Sequence, residues 1–118
     1  MNEQPNLFDA AERAPEIENI LLYALGEFQS RGKILADREL PLDRLRGAFK
    51  RACEKYETDE LSDDNLAENL SKIGARVVKV PSFVAKHPYK ITVNNNLAAK
   101  AKDFYAAKTS EFEAGEKV

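Results

Sequence analysis

The apolar residues of this chain change their spacing partway along, and that change limits the folds open to it. Up to Gly74 they recur every three or four residues. Ile17, Ile20, Leu21, Ala24, Leu25 and Phe28 form one stripe, Leu45, Phe49, Ala52, Cys53 and Tyr56 a second, and Leu66, Leu70 and Ile73 a third. That is the period of a helix with one buried face. After Gly74, Arg76-Val77-Val78-Lys79-Val80 reads as a strand. Tyr89, Ile91 and Val93 then alternate with Lys90 and Thr92, the period of a strand buried on one side. Leu97, Ala101 and Phe104 return to helical spacing. Helices, a hairpin and a last helix are therefore expected in a single domain, as suits 118 residues.

Local signals place the boundaries. Pro15 suits a first helical turn, where its missing N–H costs nothing, and Gly32 suits the stop. The first helix is expected over 15–31. Ile34 and Leu35 are expected to form a short strand ahead of Leu40 and Pro41. Asp43 is the expected N-cap of a second helix over 42–56. The third helix has the clearest start. Ser62 is placed as N-cap, Asp63 and Asp64 occupy the first turn where the dipole favours carboxylates, and Leu61 and Leu66 can close a hydrophobic staple. Residues 81–88 read as the loop of the hairpin. Asn94 to Asn96 offer a cap for a last helix over 96–108. Residues 1–14 are expected as a flexible arm, 15–108 as the domain and 109–118 as a frayed tail. Cys53 lies on the inner side of its stripe, which marks it as a small buried thiol.

The order helix, short strand, helix, helix, hairpin, helix resembles the winged helix-turn-helix fold. It implies an α+β, mainly helical, winged helix-like domain of about four helices with a two-stranded wing. The segment from Leu45 to Val93 is similar in pattern to the winged-helix domains of phage and plasmid replication proteins. There an aromatic-rich helix leads through a polar turn to a Leu-x-x-x-Leu helix ending in Gly, and then to a basic hairpin. Winged RNA-binding modules share the pattern. A plain helical bundle with an inserted hairpin is the alternative.

Charge is segregated along the chain although the formal net charge is only -2. Residues 1–30 carry -5, 31–55 +4, 56–71 -6, 72–102 +7 and 103–118 -2. The stretch 72–102 holds seven bases and no acid. An anionic partner would explain this, and so would pairing of one segment's bases with the next segment's acids. The resemblance implies that the third helix enters the DNA major groove. With Leu66, Leu70 and Ile73 inward, however, its outer face carries Asp64, Asn65, Glu68, Ser71 and Lys72. Carboxylates aimed at a groove meet phosphate repulsion, so direct base reading by this helix is not expected. The bases flank it. The second helix exposes Arg44, Arg46, Lys50, Arg51 and Lys55, and the wing carries Arg76, Lys79, Lys86, His87 and Lys90. This layout suits backbone contacts, which position a protein without specifying sequence. Arg46, Lys50, Arg51, Lys72, Arg76, Lys79, Lys86, His87 and Lys90 are the candidate nucleic-acid contacts. His87 also reads as a solvated loop residue. Phe83 and Tyr89 are placed to stack on unpaired bases or, more simply, to pack the hinge of the wing.

Gln4-Pro5-Asn6-Leu7-Phe8 resembles the bacterial sliding-clamp-binding pentapeptide in its looser form, Gln-x-x-Leu-Phe. Such a peptide lays Leu and Phe into an apolar pocket while Gln hydrogen-bonds at the rim. The resemblance implies that Gln4, Leu7 and Phe8 bind a clamp, with Pro5 standing where many such peptides have Leu. The alternative is that Leu7 and Phe8 fold back on the domain as an anchor.

Several function classes fall away. One cysteine excludes an internal disulfide, and with His87 the only histidine no Cys/His zinc site is available within one chain. There is no Gly-rich phosphate loop or nucleophile elbow, and capping explains Asp63-Asp64. A non-enzymatic protein with no metal or cofactor is expected. No apolar run is long enough to span a membrane, and the N-terminus lacks the pattern of a secretory signal, so a cytoplasmic protein is expected. The function expected is nucleic-acid binding, DNA before RNA, in replication, repair or mobile-element maintenance. The alternative is a winged-helix adaptor or homodimerisation module.

Overall fold

Helix α1 (Ile17–Ser30) carries the longest apolar stripe and occupies the centre of the protein, with every residue from Ile20 to Phe28 buried. A helix buried all round needs partners on several sides. The computed structural model, which describes residues 17–81 and 89–117, supplies them. After α1 come β1 (Glu39–Pro41), α2 (Leu42–Lys55), α3 (Asp63–Lys72), β2 (Arg76–Lys79), β3 (Tyr89–Thr92) and α4 (Asn95–Lys117). Helices α2 and α4 both pack on α1, and α3 leans on its side and on β2.

The three strands form one antiparallel sheet in the order β1-β3-β2. Leu40 lies opposite Ile91, which lies opposite Val77, and this row faces the helices. Leu40 and Ile91 are buried, as their alternation requires. The arrangement is α+β, mainly helical and winged helix-like. The small sheet ties the hairpin to the segment between α1 and α2, which distinguishes it from a bundle with an inserted hairpin.

Three expected boundaries are corrected. The first strand is Glu39–Pro41, not Ile34–Leu35. The chain turns at Asp37, which has a positive φ of 60° and donates its N–H to the Val93 carbonyl at 2.7 Å, so the ladder begins beyond that turn. Pro41 is tolerated there because β1 is an edge strand. Asp43 is not the N-cap of α2; Pro41 is, with an extended backbone and no side-chain cap, because strand runs directly into helix. The last helix does not fray at Thr109 but continues to Lys117. Phe112 packs edge-on against Tyr23 and Tyr56, with centroids 5.9 and 5.8 Å away, which favours helix beyond that point.

Other signals hold. Ser62 Oγ accepts from the Asn65 N–H at 3.2 Å, and Asn94 Oδ1 accepts from the Leu97 N–H at 2.7 Å. Helix α3 ends at Gly74, whose φ of 109° closes a Schellman turn. The Ala75 N–H bonds the Leu70 carbonyl and the Gly74 N–H bonds that of Ser71.

Candidate nucleic-acid interface

The sheet has two faces, and register assigns the wing's charges to them. Arg76 lies opposite Thr92 and Val78 opposite Lys90, so these four share the face turned away from the helices. Glu39, opposite Thr92, is the one acid on that face. Among the described residues no carboxylate pairs with Arg76 or Lys90. Lys79 and Tyr89 sit opposite each other on the helix-facing side, at the loop end of the hairpin. The Lys79 ammonium lies over the Tyr89 ring, 5.5 Å from its centroid. The Tyr89 hydroxyl donates to Asp64 Oδ1 at the start of α3. That bond raises the Tyr89 pKa above its ordinary value. Tyr89 therefore pins the wing to α3, the packing role, rather than standing free to stack on a base.

Helix α2 holds Arg46 and Lys50 on one flank and Arg51 on another, and these three are occupied by carboxylates. Toward α3, Arg46 Nη2 donates to Asp63 Oδ2 at 2.6 Å and its Nη1 lies 3.7 Å from Asp43 Oδ1, while Lys50 is 4.0 Å from Glu60. Toward α1, Arg51 grips Glu27 with two bonds of 2.6 and 2.9 Å. Arg31 adds a third at 3.1 Å. Burial pushes the Glu27 carboxyl up, and the bonds and charges of Arg51 and Arg31 more than offset this, holding it below the ordinary glutamate value. The same pairing raises Arg51. On α3, Lys72 pairs with Glu68 one turn back at 3.6 Å. The outer face of α3 is as expected, with Asp64, Asn65, Glu68, Ser71 and Lys72 all exposed.

Of the candidate contacts, the structure thus groups Arg76 and Lys90 on one open face and sets Lys79 on the opposite face of the sheet, over the Tyr89 ring. It engages Arg46, Lys50, Arg51 and Lys72 with carboxylates. Lys86, His87 and Phe83, and Gln4, Leu7 and Phe8, lie outside the described residues. Cys53 is a buried free thiol, and burial pushes its pKa up, which removes thiolate character. It sits at the floor of a small cleft of about 140 Å³ between α2 and the residues leading into α3, rimmed by the Arg46–Asp63 pair.

Two features were missed in the sequence. One is Glu27, a single acid inside the α1 stripe; its position between Ala24, Leu25 and Phe28 is the available signal. The other is a second basic cluster of Lys33, Arg38 and Arg44 around a cleft at the end of α1. In sequence these bases alternate with Asp37, Glu39 and Asp43, which hides the cluster. Comparison with models of known protein families, with curated proteins and with solved structures finds no match.

Proposed function

We propose that this is a non-enzymatic nucleic-acid-binding protein, with DNA favoured over RNA, that contacts phosphates mainly through its wing. The observation that carries the reading is the outer face of the sheet, where Arg76 and Lys90 have no carboxylate partner among the described residues, in a winged helix-like frame. Unpaired bases on a strand face suit a phosphate backbone, because contact with it releases condensed counterions and needs no base reading. Arg46, Lys50 and Arg51 contribute only by exchanging a carboxylate for a phosphate, so they are secondary contacts. The acids of α3 argue against insertion of that helix into a groove. A role in replication, repair or mobile-element maintenance follows from pairing this surface with a clamp-binding arm at Gln4, Leu7 and Phe8. A cytoplasmic location fits that role. No helix of the described residues is long and apolar enough to cross a membrane.

The test is titration of labelled duplex and single-stranded DNA and RNA with the full chain at low and moderate salt. Binding should weaken steeply with salt, with a slope near 0.9 per duplex phosphate contacted. Absence of binding to any of them at low salt would overturn the reading. A second reading, a protein-interaction adaptor or homodimer, is favoured by one observation. The exposed face of α3 is acidic at Asp64 and Glu68, so it complements the basic wing of another copy. A tight dimer in sedimentation, indifferent to nucleic acid, would establish it.

A further inference from the structure

The cleft between the end of α1 and the start of α2 has no part in that reading. It is open and holds about 280 Å³. Buried Phe28 and Leu40 form its floor, and Lys33, Arg38 and Arg44 line it. Ile34 stands at its edge, 65% exposed, the one exposed large hydrophobic side chain among the described residues. No lining residue is acidic. None of the three side chains has an ion pair or hydrogen bond among the described residues, whereas Arg31, Arg46, Lys50 and Arg51 close by are each held by a carboxylate. An apolar floor ringed by unpaired cations fits a peptide that carries large apolar side chains among acids.

We propose that this cleft docks the chain's own N-terminal segment, with Leu7 and Phe8 on the Phe28–Leu40 floor and the segment's acids against Lys33, Arg38 and Arg44. Residues 1–16 contain Glu3, Asp9, Glu12 and Glu16 against the single base Arg13, so the charges are complementary. The reach is sufficient. At a rise of 1.5 Å per residue, Phe28 lies about 17 Å along α1 from Ile17. The nine steps from Phe8 to Ile17 span up to about 30 Å of extended chain. Tethering raises the local concentration to about the millimolar range, so a weak contact suffices. Docked here, Leu7 and Phe8 are withheld from any other apolar pocket, so cleft and clamp compete for the same two side chains. The inference does not depend on nucleic-acid binding.

The test is photo-crosslinking in the full chain with p-benzoylphenylalanine in place of Phe8, read by mass spectrometry. Crosslinks are expected within one molecule, to residues 28–44, independent of protein concentration. Their yield should fall about fivefold in the Arg38→Glu/Arg44→Glu variant and in the Asp9→Lys/Glu12→Lys variant. Combining the four substitutions should restore it, which a folding defect cannot do. Crosslinks scattered over other surfaces, or unchanged in both reversed variants, would overturn the proposal. Yield that rises with concentration would overturn it in favour of a second copy's segment. Absence of the crosslink together with loss of DNA affinity in Arg38→Glu/Arg44→Glu would overturn it in favour of a nucleic-acid site.

Discussion

Glu27 is the only buried charged residue among those described, and its environment predicts a pH response. Its folded-state pKa lies below the ordinary value, so the folded state keeps the carboxylate charged where the unfolded chain takes up a proton. The stabilisation from this group is complete above pH 4.5 and is lost as the pH falls through the lower, folded-state value. Arg51 is partly solvated, which limits the worth of the pair. Glu27→Gln should cost about 1–2 kcal/mol at neutral pH. In urea melts that difference from the parent chain should shrink as the pH is lowered past 4.5. A constant difference would show that the charge is not what matters. Glu57 predicts the opposite sign. It closes the Schellman turn of α2 in the left-handed region, at φ 57°, with Thr58 N–H bonded to the Cys53 carbonyl at 2.9 Å. Glu57→Gly should stabilise by about 0.5–1 kcal/mol, raising the thermal midpoint.

At the level of elements, the α1–α4 contact depends on Gly26. A Cβ there would lie 2.3 Å from Tyr105 Cβ and 2.4 Å from the Ala101 carbonyl oxygen. Alanine is the better helix former by about 1 kcal/mol, so in an unpacked helix Gly26→Ala would stabilise. Here the close approach wins, and thermal denaturation should show a loss of about 2 kcal/mol or more. The stripe Leu97, Ala101 and Phe104 identified α4 in the sequence, and the caps at Ser62 and Asn94 were visible because such signals act within a few residues. The extension to Lys117 was not visible, because Phe112 is held by Tyr23 and Tyr56, 89 and 56 residues away in the chain. The edge strand was misplaced for a similar reason. Glu39–Pro41 is a strand because β3 offers it a partner, not because its residues favour the conformation.

For the whole molecule, the segregated charge resolves into two parts. Arg46, Lys50 and Arg51 of α2 meet Asp63 at the start of α3, Glu60 ahead of it and Glu27 of α1, while Arg76 and Lys90 have no carboxylate partner among the described residues. The two sets should therefore separate in experiment. Arg76→Ala and Lys90→Ala should each lower the salt slope of DNA binding by about one and leave the melting temperature nearly unchanged. Arg51→Ala should lower the melting temperature and change the slope less. If Arg51→Ala reduces the slope as much as the wing variants do, its bond to Glu27 is exchanged on binding, and the basic face of α2 belongs to the interface.

The helical stripes, the hairpin, most caps and the inward placement of Cys53 are legible along the chain, because periodicity and capping are local. So is the charge segregation, which is a matter of counting. Which charges remain available is set by packing between distant segments. Whether a base is free depends on carboxylates distant in the chain, as Arg51 and Glu27 show, and a sequence does not display that proximity. The cleft lined by Lys33, Arg38 and Arg44 has the same origin. Its bases are dispersed among acids along the chain, and they converge because the turn after α1 and the start of α2 bring them to one rim.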